Sequence, residues 1–379
     1  MKLHIFNPEH DIALAHDNPY FTAPHAGRQL RADLGFLPAV WAEDGDMVLV
    51  DDVESSMAHV RHLGNRAKDV VFVTMKDLKH TPFAEPMPLY GNHDGASIEI
   101  VPWGWDSALV FQLRKSLVDE CYLLGDRQLA DIRQLSDRRF AAGVLSRLKE
   151  CDERFVGESF YATSLEEIER YLESCSSIVI KAPWSSSGRG IRYITAQLSD
   201  TNRRWIDHTI AQQGGVMVEP FYYKVKDFAM EFYADGTHVD YLGLSIFETA
   251  RGAYTGNVLA SEELKRKALR KFLSDDLLAC ARQSLIHILT PLLENKYRGP
   301  LGVDMMVVSA KGEEAVSDVR SCRLHPCVEV NLRRTMGHVS LSLIPSLPGM
   351  QEMMCINYEN TRYHLRIIQL QKQLNTNLI

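Results

Sequence analysis

Short apolar runs that alternate with helix-periodic stretches limit the folds open to the first third of this chain. Residues 3–6, 47–50 and 70–73 each read as a strand ending in polar or turn residues, and residues 53–63 between the last two have helical periodicity. A second helical block, 107–118, follows the turn-rich Pro102-Trp103-Gly104-Trp105. Strands separated by helices need crossover connections, which implies a parallel α/β sheet.

The pattern changes near residues 120–135. Residues 121–149 are helix-rich, with Ser136 as the expected N-cap of the helix that carries Arg138 and Arg139. Ser164 and Glu167 form a capping-box pair, and 178–181 reads as a buried strand. Residues 191–194 read as a strand and 202–213 as a helix. Residues 216–218, 228–233 and 239–247 read as antiparallel strands, with Ala234-Asp235-Gly236 as a hairpin turn. A long helical stretch at 261–293, strands at 301–308 and 327–330, and a final amphipathic helix at 362–374 complete an α+β unit.

The length of 379 residues, at about 150 per domain, implies two or three domains. With 42 basic and 49 acidic side chains the net charge is −7, which argues against a general nucleic-acid binder. The longest apolar runs, such as 241–247, fall short of the roughly eighteen residues of a membrane span. The first apolar run meets Asn7-Pro8-Glu9-His10 before a signal-peptide core can form. Seven irregularly spaced cysteines read as free thiols in a reducing cytoplasm. Cys322, His325 and Cys327 lack a second ligand pair, and a zinc reading is rejected.

Three stretches carry chemistry. In Ile178-Val-Ile-Lys181-Ala-Pro-Trp-Ser185-Ser186-Ser187-Gly188-Arg-Gly190, an apolar strand ends in lysine and leads into a small-residue loop. Gly188 and Gly190 let backbone N–H groups approach phosphate oxygens, and Lys181 adds a compact positive charge. A solvated hairpin loop is the plain alternative. In Val216-Met-Val-Glu219-Pro-Phe221, a strand ends in an acid and crosses a short linker, which suits a flat adenine held between apolar side chains or an ordinary strand connection. In Val328-Glu329-Val330-Asn331-Leu-Arg333, alternate residues share a face, so Glu329 and Asn331 point together. With Asp304 on a neighbouring strand they make an all-oxygen cluster that suits magnesium bound alongside nucleotide phosphates. Exposed strand-end acids balanced by Arg333 and Arg334 are the alternative.

Taken in order, the lysine and its loop, the hinge acid, then Asp304 and Glu329-x-Asn331-x-Arg333 resemble the ATP-grasp superfamily over roughly residues 136–343. That resemblance implies an α/β and α+β fold: a Rossmann-like pre-ATP-grasp domain at 1–130, ATP-grasp subdomains at 131–215 and 216–350, and a C-terminal helical extension at 351–379. It implies that Lys181 contacts the α- or β-phosphate and that the 185–190 loop closes over the phosphates. Glu219 and the backbone around Phe221 would hold adenine, and Asp227 would hold the ribose or support that loop. Asp304, Glu329 and Asn331 would hold magnesium, with manganese as a substitute, and Arg333 would face the transferred phosphate or the substrate carboxylate. The chain departs from the family in offering Arg138 and Arg139 where an earlier phosphate-binding lysine often stands, and in a serine-rich phosphate loop.

The reaction implied is ATP-dependent ligation of a small or peptide acid to an amine (less often a thiol) through an acyl phosphate. Small-molecule phosphorylation and non-catalytic nucleotide-dependent regulation are the other two readings. For the substrate, Arg251 in the polar loop 247–257 offers bidentate recognition of a carboxylate, with Asn257 at the end of that loop. Asn7 and His10 follow the first strand, where open α/β sheets place ligands. A metal hydrolase built on His10, His16 and His25 lacks ligand spacing. The expected partners are the acid and amine, with neither nucleic acid nor membrane; a homodimer is compatible with this reading.

Overall fold

Leu3 and Ile5, on one face of the first strand, are buried, and a strand so covered must sit inside a sheet. In the computed structural model it does: β1 (Lys2–Ile5) lies between β2 (Met47–Leu49) and β4 (Glu99–Pro102), with β3 (Val71–Val73) outside β2, all parallel in the order β3-β2-β1-β4. The model describes residues 1–80, 98–116, 118–185, 190–250, 253–309, 322–345, 347 and 349–370. Ser186, Ser187, Gly188, Arg251 and residues 371–379 therefore lie outside the described residues. The helix Val53–Leu63 supplies the crossover from β2 to β3, and the helix Ser107–Lys115 follows β4. Their first turns are capped by Asp52 and Asp106, which accept from the N–H of Ser55 and Leu109.

Two antiparallel sheets follow, so the expected sequence of α/β then α+β holds. The smaller contains β5 (Phe160–Ala162), β6 (Ser177–Lys181), β7 (Ile191–Thr195) and β8 (Val216–Pro220), in the order β5-β8-β6-β7. The larger contains β9 (Tyr223–Ala234), β10 (Val239–Ala250), β11 (Ala253–Leu259), β12 (Gly299–Ser309), β13 (Cys322–Asn331), β14 (Glu352–Glu359) and β15 (Arg362–Gln369). Its order is β13-β12-β9-β10-β11-β14-β15. Helices Arg138–Cys151 and Asp275–Leu293 cover it, with Leu145, Leu148, Leu285 and Leu289 in one core with Phe228 and Phe232. Among the described residues no helix is long and apolar enough to cross a membrane.

Several expectations need correction. The division at 215/216 cuts β8 away from its sheet: β8 is paired on both sides, with β5 and β6, so the small sheet runs on to Pro220. The apolar side chains of residues 132–155 likewise pack in the core of the large sheet. Asp137, not Ser136, caps the helix Arg138–Cys151, accepting from the Arg139 N–H at 2.7 Å. The box at Ser164 is half formed, because the Glu167 carboxylate bonds the Thr163 N–H. The stretch 261–293 is two helices, Glu262–Leu269 and Asp275–Leu293.

The C-terminal extension is a β-hairpin where a helix was expected. Asn360 and Thr361 both have positive φ, the backbone of a tight two-residue turn whose twist matches its flanking strands. Tyr363, Leu365 and Ile367 alternate onto one face and pack with Leu34, Leu37 and Val339. The hairpin also ties the first unit to the large sheet, through Tyr363 N–H to Asp33 (2.8 Å) and Arg66 to Glu352 (2.9 Å).

The hairpin docks where Gly256 on β11 faces Cys355, and a Cβ at Gly256 would stand 2.4 Å from the Met354 carbonyl oxygen. Gly256→Ala should therefore cost about 1–3 kcal/mol, measured by urea denaturation. Unchanged stability would contradict this register.

Candidate nucleotide and metal site

The small sheet presents a buried ion pair. Lys181 ends β6 and Glu219 lies on neighbouring β8, with Nζ 2.6 Å from Oε2 and both side chains buried. Glu219, expected to hold adenine, here holds Lys181. Beside them His325 is fully buried with both ring nitrogens unpartnered among the described residues. Burial and the Lys181 charge push its imidazole down to about 3, so it is neutral. Tyr222 meets the His325 ring edge-on at 5.6 Å, and Gly157 (φ +131°) leaves the ring room that a Cβ would take. Phe221 is half-exposed at the hinge after β8, edge-on to Tyr193 and Tyr223.

Arg138 joins the small sheet's loop to the large sheet. Its Nη1 donates to the Ala182 carbonyl (2.6 Å) and Ser185 Oγ (2.8 Å), and its Nη2 to Glu329 Oε1 (2.8 Å). Arg139 turns away, paired with Asp137 and lying over the Tyr161 ring. Of the two arginines, Arg138 is thus the one in the cleft. Gly190 closes the loop, since a Cβ there would meet the Ser185 side chain at 2.3 Å.

On the large sheet, Asp304 of β12 stands opposite Glu329 of β13, beside a bulge that follows Asp304. Asn331 Nδ2 donates to Asp304 Oδ2 at 3.2 Å, so the amide turns its nitrogen toward the acid. Burial and the Glu329 charge push the Asp304 carboxyl up to about 7. Arg333 donates to Asn331 Oδ1 (3.1 Å) and grips Asp11 with two bonds of 2.8 Å. Burial alone would raise the Asp11 carboxyl, but Arg333 overcomes it and leaves Asp11 below the ordinary carboxylate value. Asp227 is held by Lys224 and by Thr249 Oγ1 (3.0 Å). Asp11, Ser185, Glu329 and Asn331 line one small cleft.

The expected substrate residues fare differently. Asn7 donates to the Gly104 carbonyl (2.8 Å) and to Asp106, and His10 Nδ1 lies 3.2 Å from Asp106. Both are buried beneath the turn after β4, and it is their neighbour Asp11 that reaches the cleft. Asn257 is buried within β11, its amide taken up by Ser245 and Tyr254. It is not part of an open loop.

The sequence reading missed Asp11 as the partner of Arg333, and it missed Glu231. This acid is fully buried on β9 opposite Gly302, accepts from Thr335 Oγ1 (2.9 Å) and lies 3.0 Å from His338 Nδ1. That nitrogen also accepts the Thr335 N–H, while Nε2 faces the Phe232 carbonyl, so the geometry fits a neutral imidazole accepting a hydrogen bond from the protonated acid. Burial, then the Asp304 charge, pushes Glu231 up to about 8. A charged residue inside the apolar run Phe228-Ala-Met-Glu231-Phe was the signal.

No protein-family model and no curated protein sequence matches the chain. Similar solved structures include a biotin carboxylase–ATP complex from Campylobacter jejuni, 11% identical over 94% of this chain and 75% of that one, TM-score 0.48. Another is an N5-carboxyaminoimidazole synthetase from Staphylococcus aureus complexed with ADP, 10% identical over 94% and 82%, TM-score 0.44. A third is a provisionally assigned ATP-grasp superfamily protein from Archaeoglobus fulgidus, 16% identical over 98% and 100%, TM-score 0.47. The likeness to ATP-grasp structures is one of architecture; the chemistry of the cleft rests on its own residues.

Glu231 gives a pH test. Its carboxyl goes from an ordinary 4.5 to about 8 on folding, so the folded state holds the extra proton across that window. Its stabilising contribution is whole below the window and is lost as pH rises through about 8. Glu231→Gln keeps a donor for His338 and cannot ionise. Relative to wild type it should gain stability on the order of a few kcal/mol between acid and alkaline pH, read from urea midpoints. Parallel pH profiles of the two proteins would refute a protonated Glu231.

Proposed function

We propose that this chain is an ATP- and magnesium-dependent ligase that joins a small carboxylate to an amine or thiol through an acyl phosphate, releasing ADP and phosphate. The observation that carries this reading is Arg138, whose single guanidinium bonds both the loop after β6 and Glu329 on β13. Loop and oxygen cluster thus share one cleft.

The donor set suits magnesium. Among the described residues no group of three or more His, Cys, Asp or Glu is arranged to hold a metal. Two carboxylates and an amide are instead what this ion uses when substrate phosphates and water complete its shell. The raised Asp304 carboxyl, facing Glu329 across the strand pair, is the charge conflict that a divalent cation relieves. Asp304 and Glu329 would hold the ion, joined by Asn331 once its amide turns its oxygen inward. When bound, magnesium neutralises charge on the phosphates during transfer.

The chain's own residues position the reactants. Lys181, steered by Glu219, supplies charge to the inner phosphates, and Arg138 and Ser185 hold the loop against them. Phe221 with Tyr193 and Tyr223 offers the apolar wall for the base. Arg333, fixed by Asp11, orients the acid and the γ-phosphoryl group. A carboxylate oxygen attacks the γ-phosphorus, and the bond to the β–γ bridging oxygen breaks as ADP leaves. The amine nitrogen then attacks the acyl carbon and loses a proton, while the carbon–oxygen bond breaks and phosphate departs.

Incubation with ATP, magnesium and an acid-plus-amine library, with mass detection, should yield a condensed product with ADP. A stable phosphorylated product would favour a kinase. Glu329→Gln should lower turnover at least about 100-fold while the nucleotide still binds by calorimetry. Full activity with unchanged magnesium dependence would refute the metal assignment.

A further inference from the structure

A cavity of about 290 Å³ lies between the outer edge of the parallel sheet and the start of β12. It shares no lining residue with the cleft around Asp11, Ser185 and Glu329. One wall is β4 and its continuation: every residue from 98 to 105 lines the cavity. Side chains alternate along a strand, so an unbroken run of lining residues means that the cavity follows the strand's edge. Among the described residues β4 pairs only with β1. The N–H groups of Glu99 and Trp103 turn inward to the carbonyls of Met1 and Ile5. Ile100 between them therefore directs its N–H and carbonyl outward, and Pro102 has no N–H to offer.

The opposite wall carries Arg334. Its backbone N–H donates to the Trp103 carbonyl at 2.8 Å, and its guanidinium lies over the Trp41 ring, with Cζ 4.6 Å from the centroid. Among the described residues that guanidinium makes no ion pair and no side-chain hydrogen bond; it is half-buried and held by the ring. Arg333, one residue earlier, faces the other way to Asp11. Burial pushes Arg334 down to about 10, which still leaves it charged at neutral pH. A partly desolvated arginine without a counter-anion carries a cost, and a ligand carboxylate offsets it with bidentate geometry. Among the described residues Glu99 is the single carboxylate on the cavity wall, and it stands with Lys2, which is matched by Glu43 at 2.7 Å, and with Arg334. Trp41, Trp105 and Tyr233 add flat apolar surface.

We propose that this cavity is a second ligand site, for a small aromatic carboxylate, with the carboxylate on Arg334 and the ring against the tryptophans. The site is independent of the nucleotide cleft and stands whether or not the ligase reading does.

Calorimetric titration of the full chain with indole-3-carboxylate and with indole-3-carboxamide compares acid and neutral isostere without any variant. The acid should bind saturably and at least about tenfold tighter. Arg334→Gln should abolish that preference, with Trp105→Leu weakening both compounds. Equal binding of acid and amide, binding unchanged in Arg334→Gln, or no saturable binding would each overturn the proposal. Displacement of the acid by inorganic phosphate at equal concentration would overturn the aromatic class, since it would mark a site for any anion.

Discussion

Two carboxylates that face each other across paired strands in a half-buried cleft cannot both ionise without positive charge beside them, and the molecule is arranged around that constraint. Asp304 and Glu329 are fixed opposite by the register of β12 and β13. The cations come from elsewhere in the chain: Arg138 from the helix that packs under the large sheet, and Arg333 from just past β13. Arg333 is itself aimed by Asp11 of the parallel-sheet unit, 322 residues away in sequence. One electrostatic problem therefore links the parallel unit, the small sheet's loop and the large sheet.

Packing supports the same convergence. The helix Arg138–Cys151 lies in the core of the large sheet, yet its first residue donates to the loop that follows β6 of the small sheet. The C-terminal hairpin closes the molecule from the other side, hydrogen-bonded to Asp33 of the first unit while extending the large sheet. Gly337 and Gly302 stand close against Glu231, so the buried acid behind the cleft is enclosed by backbone without room for side chains. An acid kept neutral there adds no third negative charge to the pair in front of it.

What was legible in the sequence was local or ordered. Alternation placed Glu329 and Asn331 on one face, the strand-ending lysine marked the loop, and Asp304 followed from a strand expected next to them. What was not legible depended on partners distant in the chain. The Asp11–Arg333 pair is invisible to any short window. The placement of β8 between β5 and β6 is likewise a long-range fact, so the subdomain boundary expected at 215/216 falls five residues short of the end of β8. The hairpin at 352–369 was lost to a different cause. Tyr363 and Ile367, and Leu365 and Ile368, stand at helical spacings while Tyr363, Leu365 and Ile367 also alternate, and only the turn at Asn360-Thr361 decides for strands.

The net charge of −7 sharpens the contrast between two neighbouring arginines. In the cleft each cation already has an acid of the chain: Lys181 has Glu219, Arg138 has Glu329 and Arg333 has Asp11. On the proposed function a triphosphate enters by competing for these cations, and magnesium compensates the acids that they leave. Among the described residues Arg334 has no such partner and rests on Trp41 instead. The two arginines therefore answer to different ligands, one set by charges that the protein supplies and one by a charge that must come from outside.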